Sequence, residues 1–213
     1  MRRLLSSLVL VAVVVGLAGC ALFQGGTNEL LYRETFSNAE DNDWPTMETE
    51  NQRKWFSGGK YQFEVHENIH SASTCSEAGE YGDLQLDVDA EHISGTDNKS
   101  VTGLIFRFVD WENYYEFLVS PAGTFRLRKQ VADTWEDIVG WTSHDAVTQG
   151  AGTNHLTVRA QGTSITCLVN GQEVADVTDT SFDSGRIGVC ALSYTGNTLM
   201  RVAFDNVEVH SVD

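Results

Sequence analysis

The sequence predicts an all-β protein, two antiparallel sheets packed as a sandwich, and three observations predict it. Short segments alternate apolar and polar residues with a period of two, glycine-centred turns separate them, and no amphipathic stretch exceeds a turn or two of helix. A chain of 213 residues, 41% of them hydrophobic, can fill one large core. Its 19 glycines against two prolines suit strands broken by tight turns. Roughly twelve strands at a spacing of about 8–15 residues need two layers to bury one face each.

Taken in order, the first predicted strand is Leu30–Phe36, followed by an acidic stretch that Pro45 ends. Residues 60–66 alternate Tyr61, Phe63 and Val65 against polar neighbours, and residues 67–82 read as a long polar loop. Residues 83–91 set Leu84, Leu86, Val88 and Ala90 against Gln85, Asp87, Asp89 and Glu91. Residues 101–131 form a three-stranded meander with turns at 110–113 and 121–123. Further strands are predicted over 134–139, 154–160, 163–170, 172–177, 186–194 and 199–210, with a connection at 145–153. Asn170-Gly171 is a strong hairpin signal, because a type I′ turn needs positive φ at both positions.

The meander is the informative part. Leu104, Phe106 and Phe108 should share one face and Ile105 and Arg107 the other. Tyr115, Phe117 and Val119 oppose Tyr114, Glu116 and Leu118, and Phe125 and Leu127 oppose Arg126 and Arg128. One face is therefore aromatic core, while the other carries Arg107, Tyr114, Glu116, Arg126 and Arg128. Two readings of that second face stand side by side. It is a concave ligand face, where arginines and Tyr114 hydrogen-bond sugar hydroxyls or a carboxylate while Tyr114 or Trp111 stacks on a ring. Otherwise it is a solvated sheet laced by cross-strand ion pairs.

The formal charge of −16 excludes nucleic acid and anionic lipid headgroups as partners of the folded surface. At the N-terminus, Arg2 and Arg3 precede an apolar run, Leu4 to Leu17, which ends in Leu17-Ala18-Gly19-Cys20. At about 14 residues the run is too short to span a bilayer and has the length of a signal-peptide core. The segment resembles a bacterial lipoprotein signal. That resemblance implies cleavage before Cys20, lipidation of its thiol, and a membrane anchor at the cell surface or outer membrane, with Ala21 permitting outer-membrane transfer. The expected organisation is a signal peptide at 1–19, a lipidated Cys20 with a flexible tether to residue 29, and one domain over 30–213.

Three further cysteines remain. Cys167 and Cys190 both alternate in phase with apolar neighbours, so they read either as inert core thiols or as a disulfide in an oxidising compartment. Cys75, in a polar run, pairs with nothing or with Cys190. Neither the thiols nor the six scattered histidines show metal-ligand spacing.

Several phrases together carry a family resemblance: residues 103–107 (GLIFR), 113–117 (NYYEF), 123–127 (GTFRL), 154–158 (NHLTV), 169–171 (VNG), 182–188 (FDSGRIG) and 204–207 (FDNV). Their order and spacing resemble the concanavalin A-like, laminin G-like jelly rolls, especially bacterial lipoproteins related to the 3-keto-disaccharide hydrolase domain. The resemblance covers about residues 30–211 and implies a jelly-roll sandwich. By analogy with several such sandwiches, Glu34 and Asp205 are the matching candidates for a structural Ca²⁺. The fold hosts lectins, glycanases and adhesive modules, so function must come from the site.

A glycanase of this fold would place two carboxylates on one strand face in a Glu-x-Asp-x-x-Glu order, which does not occur. Asp87, Asp89 and Glu91 share a face in a different order and read as a solvated ladder. No nucleophile elbow is present. The leading expectation is a tethered, non-catalytic carbohydrate- or glycan-binding domain using Arg107, Trp111, Tyr114, Glu116, Arg126 and Arg128. The alternatives are a structural or adhesion protein with a protein partner, and a glycoside-cleaving enzyme of the 3-keto type using Glu116 with Asp110.

Overall fold

The computed structural model describes residues 28–38, 43–74, 78–95, 99–194 and 199–212. The signal segment with Cys20, and Cys75, lie outside the described residues. Among the described residues fifteen strands are present: β1 (Leu30–Glu34), β2 (Met47–Glu48), β3 (Gln52–Ser57), β4 (Lys60–His66), β5 (Ile69–Thr74), β6 (Leu84–Ser94), β7 (Ser100–Asp110), β8 (Asn113–Ser120), β9 (Thr124–Val131), β10 (Thr134–Ser143), β11 (Gly152–Gln161), β12 (Ser164–Val169), β13 (Gln172–Thr178), β14 (Arg186–Ser193) and β15 (Leu199–His210). They form two antiparallel sheets. One runs β13-β12-β11-β6-β15-β4-β3-β2, with β1 also paired to β15, and the other runs β10-β9-β8-β7-β14-β5.

The core lies between the sheets and is built by the alternation read from the sequence. Leu84, Leu86 and Val88 of β6 face Tyr115 and Phe117 of β8 within one cluster. Each such side chain contributes about 1.5–3 kcal/mol on leaving water. Trp44 belongs to this core rather than to an exposed loop: it packs edge-on to Phe36, and its indole N–H donates to the Tyr32 hydroxyl at 3.0 Å.

Turn chemistry fixes the register. Asn170 and Gly171 take φ of +50° and +77°, the conformation expected of the β12–β13 hairpin. The β9–β10 hairpin uses the same geometry with less suited residues, Ala132 at +48° and Asp133 at +63°.

Three expectations are corrected. The stretch 67–82 is not all loop; it contains β5, an edge strand paired with β14. Its alternation is of small polar residues, Ser71 and Ser73, which are buried as thoroughly as apolar ones. Phe108 does not share a face with Leu104 and Phe106, because Arg107 adopts φ of +47° and the β7–β8 register shifts between Phe106 and Asp110. This bulge sends Phe108 to the same side as Ile105. Finally, Cys167 and Cys190 are free thiols and not a disulfide. Cys167 lies in the core between the sheets, whereas Cys190 faces the opposite side of the six-stranded sheet.

Candidate functional site

The outer face of the six-stranded sheet carries a second apolar cluster of Val101, Ile105, Phe108, Tyr114, Leu118, Cys190 and Leu192. Tyr114, Glu116 and Leu118 point here because Tyr115, Phe117 and Val119 are committed to the core. Into the cluster is set a charged group, Glu116, which is 0% exposed. Arg128, its direct partner in the β8–β9 register, donates to Glu116 Oε2 from Nε at 2.8 Å and from a terminal nitrogen at 2.6 Å. His70 Nε2 lies 2.7 Å from Oε1.

That last contact reports the shape of the sheet. His70 belongs to β5 and Glu116 to β8, with β14 and β7 between them. Three strand spacings amount to roughly 14 Å in a flat sheet. The side chains meet because the sheet curls towards this face, making it a groove, and because the floor between them is low. Gly103 stands between Cys190 and Leu118 there, and a Cβ on it would run into the Phe117 carbonyl.

Aromatic rings form one end. The Arg128 guanidinium lies 3.6 Å over the Trp135 ring, which packs edge-on to Tyr114 at 5.5 Å and lies 5.9 Å from His70. Trp111, in the β7–β8 turn, is 53% exposed and rests edge-on against Phe108 at 4.6 Å. Arg186 covers the Phe108 ring from 4.9 Å. Beyond the opposite end of the face, Asn68, Ile69, His70, Leu192, Ser193 and Tyr194 line a pocket of about 210 Å³.

The electrostatics follow from this packing. Burial alone would raise the Glu116 carboxyl, but His70 and Arg128 outweigh it and hold the group below the ordinary carboxylate range. Burial first, then Glu116, push the Tyr114 phenol and the Cys190 thiol upward. At neutral pH the curled face therefore holds a buried, ionised carboxylate, gripped on Oε2 by Arg128, under neutral aromatic walls.

The expected site residues divide as follows. Tyr114, Glu116 and Arg128 line the groove, and Trp111 stands on its rim. Arg126 sits toward its side, paired with Asp137 at 2.6 Å and 5.7 Å over Trp141. Arg107 does not reach the groove, which corrects the sequence reading. The bulge turns it away, and its side chain is buried, donating to the carbonyls of Gly82 at 3.2 Å and Phe182 at 3.0 Å and reaching Asp83 at 3.5 Å. It fastens two loops to β7. Sequence reasoning missed His70, Trp135 and Cys190 as groove residues. His70 was hidden because β5 lacks an apolar pattern, although the Ser71/Ser73 alternation was a faint signal.

The acidic ladder lies on the outer face of the other sheet. His155 spans Asp89 at 2.8 Å and Asp87 at 3.4 Å, Thr157 donates to Asp87 at 2.5 Å, and Lys60 pairs with Glu91 at 2.8 Å. Glu34 and Asp205 are engaged separately. Glu34 accepts from the Phe36 amide at 2.5 Å, and Asp205 accepts from the Asn206 amide at 2.7 Å.

A family profile described as the 3-keto-alpha-glucoside-1,2-lyase-like domain matches residues 30–210. The chain belongs to this family. Among solved structures, the lyase-like domain is similar to the carbohydrate-binding module CBM66 from Bacillus subtilis, with a TM-score of 0.65 at 19% identity over 80% of this chain and 96% of that one. It is similar to a lichenase from a mouse hindgut metagenome (TM-score 0.62, 13% identity, 85% and 99% covered). It is also similar to the Bacillus licheniformis beta-glucanase (TM-score 0.60, 14% identity, 88% and 100%). At these identities the likeness is one of fold, the jelly-roll sandwich that carbohydrate-binding modules and glucanases share. A curated TPR repeat-containing protein of Treponema pallidum (strain Nichols) is 35% identical over 77 residues, 36% of this chain. The chain spans only 9% of that relative's length.

Proposed function

We propose that this domain binds a saccharide, without cleaving it, in the groove of its six-stranded sheet. One observation supports the reading most: a pre-set Arg128–Glu116–His70 array lies at the base of a groove rimmed by the exposed Trp111. A sugar ring has an apolar face for Trp111 and hydroxyls for Arg126 and the His70 ring, which suits aromatic and fork-shaped donors. The buried Arg128 holds Glu116 and Trp135 in place beneath. Cleavage by paired acids needs a protonatable carboxyl beside a second one. Glu116 is the one fully buried acid among the described residues, and Arg128 and His70 hold it ionised. The Leu17-Ala18-Gly19-Cys20 sequence supports export and lipid tethering, which would present the groove to envelope or external glycans.

Titration calorimetry of the full-length chain in detergent against neutral and acidic oligosaccharides tests the reading. Trp111→Ala should weaken the best ligand about tenfold, roughly 1.4 kcal/mol. Absence of binding across the panel, or unchanged affinity in Trp111→Ala, removes it and turns attention to a protein partner, to be sought by crosslinking in membranes.

The family match favours a second reading, lyase chemistry on a 3-keto glucoside. The ketone acidifies the neighbouring C2 proton, so a base there could release the C1 substituent by elimination. An imidazole beside a buried carboxylate, as His70 Nε2 is beside Glu116 at 2.7 Å, is a group for that task. Product formation from a 3-keto glucoside that vanishes in His70→Ala would establish it over simple binding.

A further inference from the structure

We infer that His70, Glu116 and Cys190 form a site for a thiophilic divalent cation of the zinc type. The spacing of these residues in the chain hides the site, since they come from β5, β8 and β14. Folding brings Nε2, a carboxylate oxygen and Sγ within 4.8 Å of one another, the one such convergence of three His, Cys, Asp or Glu groups among the described residues.

A second, independent observation points to a ligand. Glu116 Oε1 is fully buried and makes no hydrogen bond, although His70 Nε2 is 2.7 Å away. The two atoms are close without the in-line geometry of a bond, so a buried lone pair is left facing a nitrogen and a sulfur. A cation between the three resolves that contact. Arg128 meanwhile holds the other oxygen, Oε2, orienting the carboxylate from behind as second-sphere partners of metal ligands do.

The donor set selects the ion. A thiolate and an imidazole disfavour calcium and magnesium, which take oxygen ligands, and suit zinc, which accepts sulfur, nitrogen and carboxylate oxygen in a tetrahedron. Tetrahedral ligands at zinc distances stand roughly 3.3–3.6 Å apart. His70 Nε2 and Glu116 Oε1 stand 2.7 Å apart and all three donors lie within 4.8 Å of one another, so side-chain rotation suffices to reach that spacing. Three protein ligands leave a fourth position, and His70 borders the 210 Å³ pocket from which water or a ligand oxygen would fill it. Binding is an exchange of cation for proton. The Cys190 thiol gives its proton to solvent, and so does Nε2 where it carries one, so affinity should fall as pH falls.

The inference does not require the saccharide reading, because its readout is the metal and not a sugar. The test uses the full-length chain in detergent, with Cys20→Ser and Cys75→Ser as background, stripped by chelator and titrated with Co²⁺. Expected are one equivalent of Co²⁺, intense tetrahedral visible bands and a near-ultraviolet sulfur-to-cobalt charge-transfer band, all displaced by Zn²⁺. Cys190→Ala should abolish the charge-transfer band, and His70→Ala should weaken binding at least about tenfold. Should Cys190→Ala fail to fold, His70→Ala decides, since that side chain is partly exposed on an edge strand. Lack of a charge-transfer band in the background protein overturns the inference. So does its persistence in Cys190→Ala, or unchanged affinity in His70→Ala.

Discussion

Removing one charge of the Glu116–Arg128 pair is the most demanding test of the groove. Glu116 is wholly buried and Arg128 nearly so, and two donors of the guanidinium meet one carboxylate oxygen. Arg128→Met keeps length and contact with Trp135 but leaves the carboxylate facing His70 alone. Breaking a buried pair from one side costs about 3–5 kcal/mol, because the remaining charge stays desolvated. For a chain of this size that is a fall in Tm of roughly 6–20 °C. Glu116→Gln strands Arg128 in the same way and should cost a similar amount. The double variant removes both charges and should cost no more than either single, giving a coupling of at least about 3–5 kcal/mol. Urea unfolding at neutral pH with chelator present, followed by tryptophan fluorescence, measures all four corners. Single losses below about 1 kcal/mol that add within about 0.5 kcal/mol would refute the argument that this face is a dry groove and not a wet sheet. The pH dependence has a definite sign. The folded carboxyl titrates below its ordinary 4.5, so its contribution stands above that pH and is lost as acid reaches the folded value.

Other expectations concern the scaffold. The His155 imidazole is raised to about 9, chiefly by its hydrogen bond to Asp87 against partial burial, with Asp89 adding to the effect. Its stabilisation is therefore complete below pH 6.5 and lost as pH rises through 9, and His155→Gln should flatten stability across that window in denaturant titrations. Arg107→Lys keeps the charge but not the planar fork, leaving the Gly82 and Phe182 carbonyls short of donors. A loss of about 2–3 kcal/mol, with faster hydrogen exchange near Phe182, is expected. Ala132→Asn should stabilise the β9–β10 hairpin by about 0.5–1 kcal/mol, since asparagine tolerates φ of +48° better than alanine does. A shift in urea midpoint checks it.

Much of the architecture was legible because it is local. Alternation in β4, β6, β8 and β9 assigned their faces residue by residue, and Asn170-Gly171 announced its hairpin. The same alternation put Tyr114, Glu116, Arg126 and Arg128 on one side. What stayed hidden depends on three dimensions. A bulge at Arg107 has no local marker, since arginine seldom takes positive φ, and that single residue reversed the phase of β7. The curl of the sheet, which changes Glu116 and Arg128 from solvated neighbours into a buried pair, is a property of six strands together. Cys167 and Cys190 share a phase with apolar neighbours, yet one faces inward and the other outward.

An ion pair kept dry is an unusual thing for a sheet surface to retain, given how readily isosteric leucine or methionine would do the structural task as well or better. Drift should therefore replace the two residues jointly or spare them jointly, since losing either alone strands a buried charge. Aligned homologues can be sorted on that basis alone, with the chemistry at positions 116 and 128 serving as a marker of which lineages keep this face charged.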